Sequence, residues 1–278
     1  MMDYRFHNVA GQRLLKSVRT DQEYAVVVLT PIYKVDLSHN EVLALKHSFN
    51  ILSHREIFFV APEGLDVGFY NKYFPSVGFC RFPDEYFVSI NAYSKLLTSN
   101  FFYDVYLDFS HILILQPDCI VFRDDLDCWV ASGYDYVGAP WPSIWKYQFP
   151  MVGSRFDGEV FYIGVGNGGL SLRKTSSFVE ALNQFQWVLR LHSEVVEDAF
   201  FSLVGHLSFK FKIPNAFSAA QFSIECEPRK YTRIIQGLPM GVHAWEKWDK
   251  EFWLQHFTEL DVNFEQRWKV ECVVARFG

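Results

Sequence analysis

Gln116-Pro117-Asp118 follows the apolar run Ile112-Leu113-Ile114-Leu115, an order that sets a carboxylate at the end of a buried strand. Ligands of open α/β sheets gather at the carboxyl ends of strands. A carboxylate there can hold a divalent ion that neutralises a diphosphate, or it can simply turn the chain beside a proline. A second acidic group, Glu197-Asp198, opens the apolar run Ala199-Phe200-Phe201. The first turn of a helix favours acids, which accounts for one of the two. Desolvation by such a run raises a carboxyl pKa toward the range of a general base. Between these groups lies Val165-Gly166-Asn167-Gly168-Gly169. Its glycines lack the GxGxxG spacing of a dinucleotide site, but consecutive strand glycines admit a ligand close to the backbone or form a bulge. Thr30-Pro31-Ile32-Tyr33 offers hydroxyls and a ring after Ala25-Val26-Val27-Val28-Leu29, as a nucleobase pocket needs. His243, between Gly241-Val242 and Ala244-Trp245, is a late imidazole suited to metal ligation or to a plain polar contact.

The elements that must position these residues alternate. Residues 25–29 read as a strand buried on both faces and stopped by Thr30-Pro31. Ser38-His39-Asn40-Glu41 is a capping box, and Val42, Leu45, Phe49 and Leu52 form one helical stripe. Glu56 to Val60 follows as a strand, completing a βαβ unit. Further strands are expected over 77–82, 112–115, 119–122 and from Phe161, and helices over 91–99, 175–191 and 197–205. The segment 138–158, rich in Pro, Gly, Ser and Trp, reads as a loop. Residues 1–23 read as an arm, 24–246 as one α/β domain with a mixed, mostly parallel central sheet, and 247–278 as a helical tail packed on it.

Composition narrows the function. The 278 residues carry a net charge of −6, which recommends no nucleic-acid partner. No apolar run reaches the ~18 residues of a membrane span, and the N-terminus lacks the apolar core of a signal peptide. Five scattered cysteines form no CxxC pair and read as buried thiols, so neither disulfides nor zinc are suggested. These features predict a soluble, cytoplasmic protein. Aromatic residues make up 18% of the chain, enough to fill a core and still line a cleft.

In this order the pieces resemble a bacterial domain-of-unknown-function family, related to GT-A fold glycosyltransferases, found among capsule and O-antigen biosynthesis proteins. The resemblance spans about 24–246 and rests on the Ile112–Asp118 run, Gly133-Tyr134-Asp135-Tyr136-Val137-Gly138-Ala139-Pro140-Trp141, Gly166-Asn167-Gly168-Gly169-Leu170-Ser171-Leu172-Arg173-Lys174, Glu197-Asp198 and Gly241-Val242-His243-Ala244-Trp245. It implies a Rossmann-like GT-A domain that moves a sugar from a nucleotide donor, a UDP-sugar, to a glycan or lipid-linked glycan. Contact with the inner membrane, where such acceptors reside, would be peripheral. Asp118 takes the place of the last acid of the DxD motif as ligand to Mn²⁺ or Mg²⁺. Gln116 replaces the first acid and is left a ribose hydroxyl to bind. His243 completes the metal shell. Asp198, or Glu197 in its stead, becomes the general base of an inverting transfer. Asn167, Gly168 and Gly169 line the donor sugar, Lys95 meets the diphosphate or is a surface lysine, and Trp141, Trp145 and Trp245 supply ring faces for sugars or fill the core. A binding protein that has lost catalysis is the competing class, kept open by the incomplete DxD. A nucleotidyltransferase is a third, disfavoured because Thr30-Pro31-Ile32-Tyr33-Lys34-Val35-Asp36 is no Gly-rich basic loop.

Overall fold

The computed structural model describes residues 25–148, 156–191 and 195–259. Its first half runs β1 (Val26–Pro31), α1 (His39–Ile51), β2 (Glu56–Pro62), α2 (Gly68–Tyr73), β3 (Gly78–Phe82), α3 (Ile90–Leu97), α4 (Asn100–Tyr103) and β4 (His111–Leu115). Then come β5 (Ile120–Val121), α5 (Leu126–Ala131), β6 (Tyr136–Tyr147), β7 (Phe161–Lys174), α6 (Thr175–Leu191) and α7 (Glu197–Leu207). The last elements are α8 (Ala216–Phe222), β8 (Ser223–Ile224), α9 (Pro228–Ile235), β9 (Gly241–Val242) and α10 (Lys250–Glu259).

The main sheet has the order β3-β2-β1-β4-β7-β6. Its first four strands are parallel, while β7 runs antiparallel to both β4 and β6. This is the expected α/β fold with a mixed sheet. β1 lies between β2 and β4 and is buried throughout, which is why it reads as an unbroken apolar run. Val27 and Leu29 join a core with α6 and α7 through Phe178, Phe200 and Phe201. Val26 and Val28 face the other core, with Val42, Leu45 and Phe49 of α1. The Ser38 capping box forms, with both reciprocal bonds present. Much of the aromatic excess lies in these cores. The Phe178 and Phe201 rings, for example, are 4.1 Å apart. Among the described residues no helix is long and apolar enough to cross a membrane.

A second sheet, β5-β9-β8, is built from three two-residue strands. β9 pairs antiparallel with β5 (Ile120↔Val242) and parallel with β8 (Ser223↔Gly241, Ile224↔Val242).

Several expectations need correction. The segment 138–158 is not a loop over its first ten residues, because β6 extends to Tyr147; 149–155 lie outside the described residues. β6 is the outer strand, where the missing N–H groups of Pro140 and Pro142 are tolerated. Register shifts between Val137 and Ala139, Ala139 and Pro140, and Pro140 and Trp145 absorb the irregularity. Thr30-Pro31 does not stop β1 but belongs to it: Pro31 pairs with Val60, and the Ile32 N–H donates to the Val60 carbonyl at 2.8 Å. Cys128 is exposed, whereas Cys80, Cys119 and Cys226 are the buried free thiols expected. The expected arm, 1–23, and the end of the tail lie outside the described residues. The tail's described helix, α10, buries Trp253 and Phe257 in one cluster with Trp245.

Candidate functional site

The small sheet assembles the first half of the site. Asp118 and Cys119 directly precede β5, Glu225 follows β8, and His243 follows β9. Because β8 and β9 run parallel in register, Glu225 and His243 emerge side by side, tied by the His243 N–H to the Ile224 carbonyl at 3.1 Å. The His243 Nε2 lies 3.0 Å from Gln116 Oε1 and 3.4 Å from Asp118 Oδ1. Its Nδ1 lies 3.4 Å from Glu225 Oε2. Glu225 is buried, and its Oε1 accepts the Trp248 indole N–H at 3.1 Å.

Charge follows this geometry. Burial disfavours a cationic His243, but Asp118 and Glu225 outweigh it and raise the imidazole pKa to about 9. Burial pushes the Asp118 carboxyl up, and the hydrogen bond and charge of His243, then a backbone hydrogen bond and the Lys34 charge, bring it below its ordinary value.

The donors suit a divalent ion. Asp118, Cys119 and His243 bring one ligand atom each within 4.8 Å of one another. Carboxylate oxygen and imidazole nitrogen are donors that Mn²⁺ accepts, and oxygen alone suits Mg²⁺. Cys119 is engaged elsewhere, its thiol donating to the Gly169 carbonyl at 3.3 Å. Asp118 and His243 are therefore the residues that would hold the ion.

The second half of the site stands at the start of α7. Arg173, fully buried, donates to Glu197 Oε1, to Tyr103 Oη at 3.2 Å and to Ser171 Oγ at 3.1 Å. Ser171 in turn donates to the Gly168 carbonyl at 2.9 Å, and the Glu197 N–H donates to Ser94 Oγ at 2.6 Å. Glu197 is thus a locked, charge-compensated carboxylate. Asp198, half-buried beside it, accepts its neighbour's amide, the Ala199 N–H, at 2.7 Å. Burial, and then the Glu197 charge, raise the Asp198 carboxyl to about 7. The structure gives the two neighbouring acids different surroundings, Glu197 paired with Arg173 and Asp198 without a cationic hydrogen-bond partner among the described residues.

Gly168 and Gly169 join the two halves. A Cβ on Gly168 would stand 3.3 Å from both Arg173 and Glu197 and 3.5 Å from the Asp198 Cβ. One on Gly169 would meet the His243 ring at 2.2 Å. Neighbouring residues of one strand therefore touch the acid pair and the imidazole. The Gln116 N–H also donates to the Gly169 carbonyl at 3.0 Å, and Glu225 is among the charges felt at Asp198.

Other candidates are more dispersed. Asn167 is half-buried, and its Oδ1 accepts the Gly169 N–H at 3.3 Å. Thr30 and Pro31 are buried within β1, leaving Tyr33, 62% exposed, as the member of that trio open to solvent. Lys95 is exposed on α3, next to the Ser94 that holds Glu197. Trp141 is buried with Ile163 and Ala199 and stacks on Trp145, which is 44% exposed. Trp245 is 1% exposed and packs edge-on to Phe257. Of the two alternatives open for this ring, sugar face or core, it takes the core. An open cavity of about 590 Å³ runs past Trp141, Tyr162, Ser202, His206 and Lys230. Ser202 lies one helical turn beyond Asp198 on α7.

Sequence reading missed Glu225, Lys34 and Arg173 as parts of the site. Arg173 stood in the motif strand, and a charged residue alternating with Leu170 and Leu172 marks a buried cation needing a partner. Glu225 carried no comparable signal.

Residues 76–243 match the family described as "Protein of unknown function (DUF5672)". The chain belongs to that family. No curated protein sequence matches this DUF5672 member. Among solved structures it is similar to the galactosyltransferase LgtC in complex with donor and acceptor sugar analogs, with a TM-score of 0.51 and 15% identity over 84% of this chain and 94% of that one. Mouse xyloside xylosyltransferase 1 gives 0.48 and 12%, over 80% and 97% of the two chains. Core-mannan synthase A from Aspergillus fumigatus, in an Mn/GDP form, gives 0.49 and 7%, over 76% and 75%. At such identity the likeness to the galactosyltransferase shows the fold, and the DUF5672 chain has the α/β glycosyltransferase fold of GT-A type.

Proposed function

We propose that the protein is a metal-dependent glycosyltransferase that moves a sugar from a UDP-sugar to a glycan or lipid-linked glycan. The observation that carries this reading is the meeting of Gln116, Asp118 and His243 with Glu197 and Asp198 across Gly168-Gly169. The fold is that of glycosyltransferases, and this cluster supports chemistry on it. Asp118 and His243 would hold Mn²⁺, or Asp118 with phosphate and water oxygens Mg²⁺, and the bound ion would stabilise a leaving diphosphate as a Lewis acid. Gln116 binds a ribose hydroxyl, Tyr33 borders the base, and Gly168-Gly169, which let the acid pair and the His243 ring approach one strand, border the donor sugar. Asp198 takes the proton of the attacking acceptor hydroxyl, in an inverting displacement, at a carboxyl raised enough to accept it near neutral pH. Arg173 holds Glu197 aside from that task. The acceptor approaches along the cavity that begins one turn beyond Asp198, where Trp141 and Tyr162 offer aromatic surface. Cytoplasmic nucleotide-sugar pools and a role in bacterial surface polysaccharide, such as capsule or O-antigen, complete the reading on the strength of the family resemblance.

Incubation with a panel of UDP-sugars and Mn²⁺ tests it. Slow hydrolysis that releases UDP is expected even without an acceptor. Release of pyrophosphate would point to nucleotidyl transfer instead, and binding with no turnover of any donor would point to a binding protein.

A further inference from the structure

Glu225 is buried, carries a carboxylate, and belongs to no role assigned above. Its neighbours define what it does. Parallel pairing of β8 with β9 sets it beside His243, and its Oε2 faces His243 Nδ1 at 3.4 Å. The opposite ring nitrogen, Nε2, faces Gln116 and Asp118. The other Glu225 oxygen, Oε1, is fixed by the Trp248 indole N–H at 3.1 Å, which aims Oε2 at the ring. Among the described residues, neither Glu225 Oε2 nor His243 Nδ1 makes a formed hydrogen bond, although both are buried and they face each other at 3.4 Å. An unpaired buried carboxylate oxygen costs free energy unless it meets a donor, and the polar atom that this oxygen is seen to face is that ring nitrogen.

We propose that Glu225 is a positioning residue: its Oε2 is the acceptor for the His243 Nδ1–H, which turns the ring so that Nε2 is the nitrogen offered to a divalent cation beside Asp118, and thereby sets the affinity of the Asp118–His243 pair for that cation. A ligand histidine whose second nitrogen is held by a carboxylate is both oriented and made more basic, and loss of such a partner costs 10–100-fold in metal affinity. The three two-residue strands then have a clear purpose. They are too short to add much stability, but their register sets the cation ligand from the β5 side, the imidazole and its supporting carboxylate in one row. The inference rests on the metal-site reading above and adds to it a residue that never touches the ion.

Calorimetric titration of the full chain with Mn²⁺ in the presence of UDP provides the test, on wild type, Glu225→Ala, Glu225→Gln, Trp248→Phe and His243→Ala. Thermal melts establish that each variant is folded. Glu225→Ala is expected to weaken Mn²⁺ by about 10–100-fold. Glu225→Gln, which keeps an acceptor oxygen but no charge, should fall between it and wild type, and Trp248→Phe should lose a smaller factor. A merely structural Glu225 would lower the melting temperature and leave the Mn²⁺ affinity of the folded protein within twofold. That result, with His243→Ala still severely impaired, would overturn this inference and leave the metal site standing. Equal Mn²⁺ affinity in wild type and His243→Ala would overturn both.

Discussion

Asp198→Asn is expected to fold and bind donor normally while losing roughly 10²–10⁴-fold in turnover, the contribution of a general base. The same substitution should stabilise the protein at alkaline pH. Burial and Glu197 raise the Asp198 carboxyl to about 7, above its value in an unfolded chain. Between about pH 4 and 7 the native state therefore holds a proton that the unfolded state has released, and native stability declines as pH rises through that window. The penalty is absent below it and complete above it. Roughly three units at ~1.4 kcal/mol each set an upper limit near 4 kcal/mol, and partial exposure with the coupling to Glu197 reduces this to about 1–3 kcal/mol. Urea denaturation at pH 8 should show the Asp198→Asn variant more stable than wild type by that amount, with the gap closing toward pH 4. Wild-type turnover should rise with pH up to about 7 and then level. Near-normal turnover of the variant, or a product that keeps the donor's anomeric configuration, would contradict the base assignment.

Removing the cation beside Glu197 should have the largest effect on stability. Arg173 is wholly buried, and it ties Glu197 of α7, Tyr103 of α4 and Ser171 of β7 together. Arg173→Met leaves a buried carboxylate without its partner, at a cost of about 3–5 kcal/mol. Adding Glu197→Gln removes the orphaned charge and should recover a good part of the loss, which a double-mutant cycle measures. A loss below about 1 kcal/mol for Arg173→Met would show that the pair is not the anchor of the α7 start. Because Ser171 also holds the Gly168 carbonyl, donor binding should weaken with it.

What sequence made legible here was what short-range physics dictates. The Ser38 box and the stripe from Val42 fix α1 locally, and a wholly apolar run such as Ile112–Leu115 has few places to go but the middle of a sheet. Asp118 could be singled out as a carboxylate at the end of an apolar strand, and Asp198 as an acid beside a run that desolvates it. β6 was hidden because Pro140 and Pro142 obey edge-strand rules that only the sheet order reveals. Glu225 was hidden for a deeper reason: strands of two residues have no period, so nothing local says that 225 and 243 stand side by side. Trp245 shows which of two open alternatives, sugar face or core, the packing selects. Its Gly-Val-His-Ala-Trp context looks like a ligand loop, but α10 packs over the ring and only tertiary structure shows it. The separation of Glu197 from Asp198 likewise depends on Arg173, which lies 24 positions from Glu197 in the chain.

Everything proposed for catalysis depends on Asp118 and His243 making a nucleotide-diphosphate site through a divalent ion. UDP binding measured by calorimetry with Mn²⁺, and again with excess chelator, on wild type and Asp118→Ala addresses that dependence. Wild type should bind UDP in Mn²⁺, and binding should be lost both in chelator and in Asp118→Ala. An Asp118→Ala protein that binds UDP with unchanged affinity in Mn²⁺ would contradict the site.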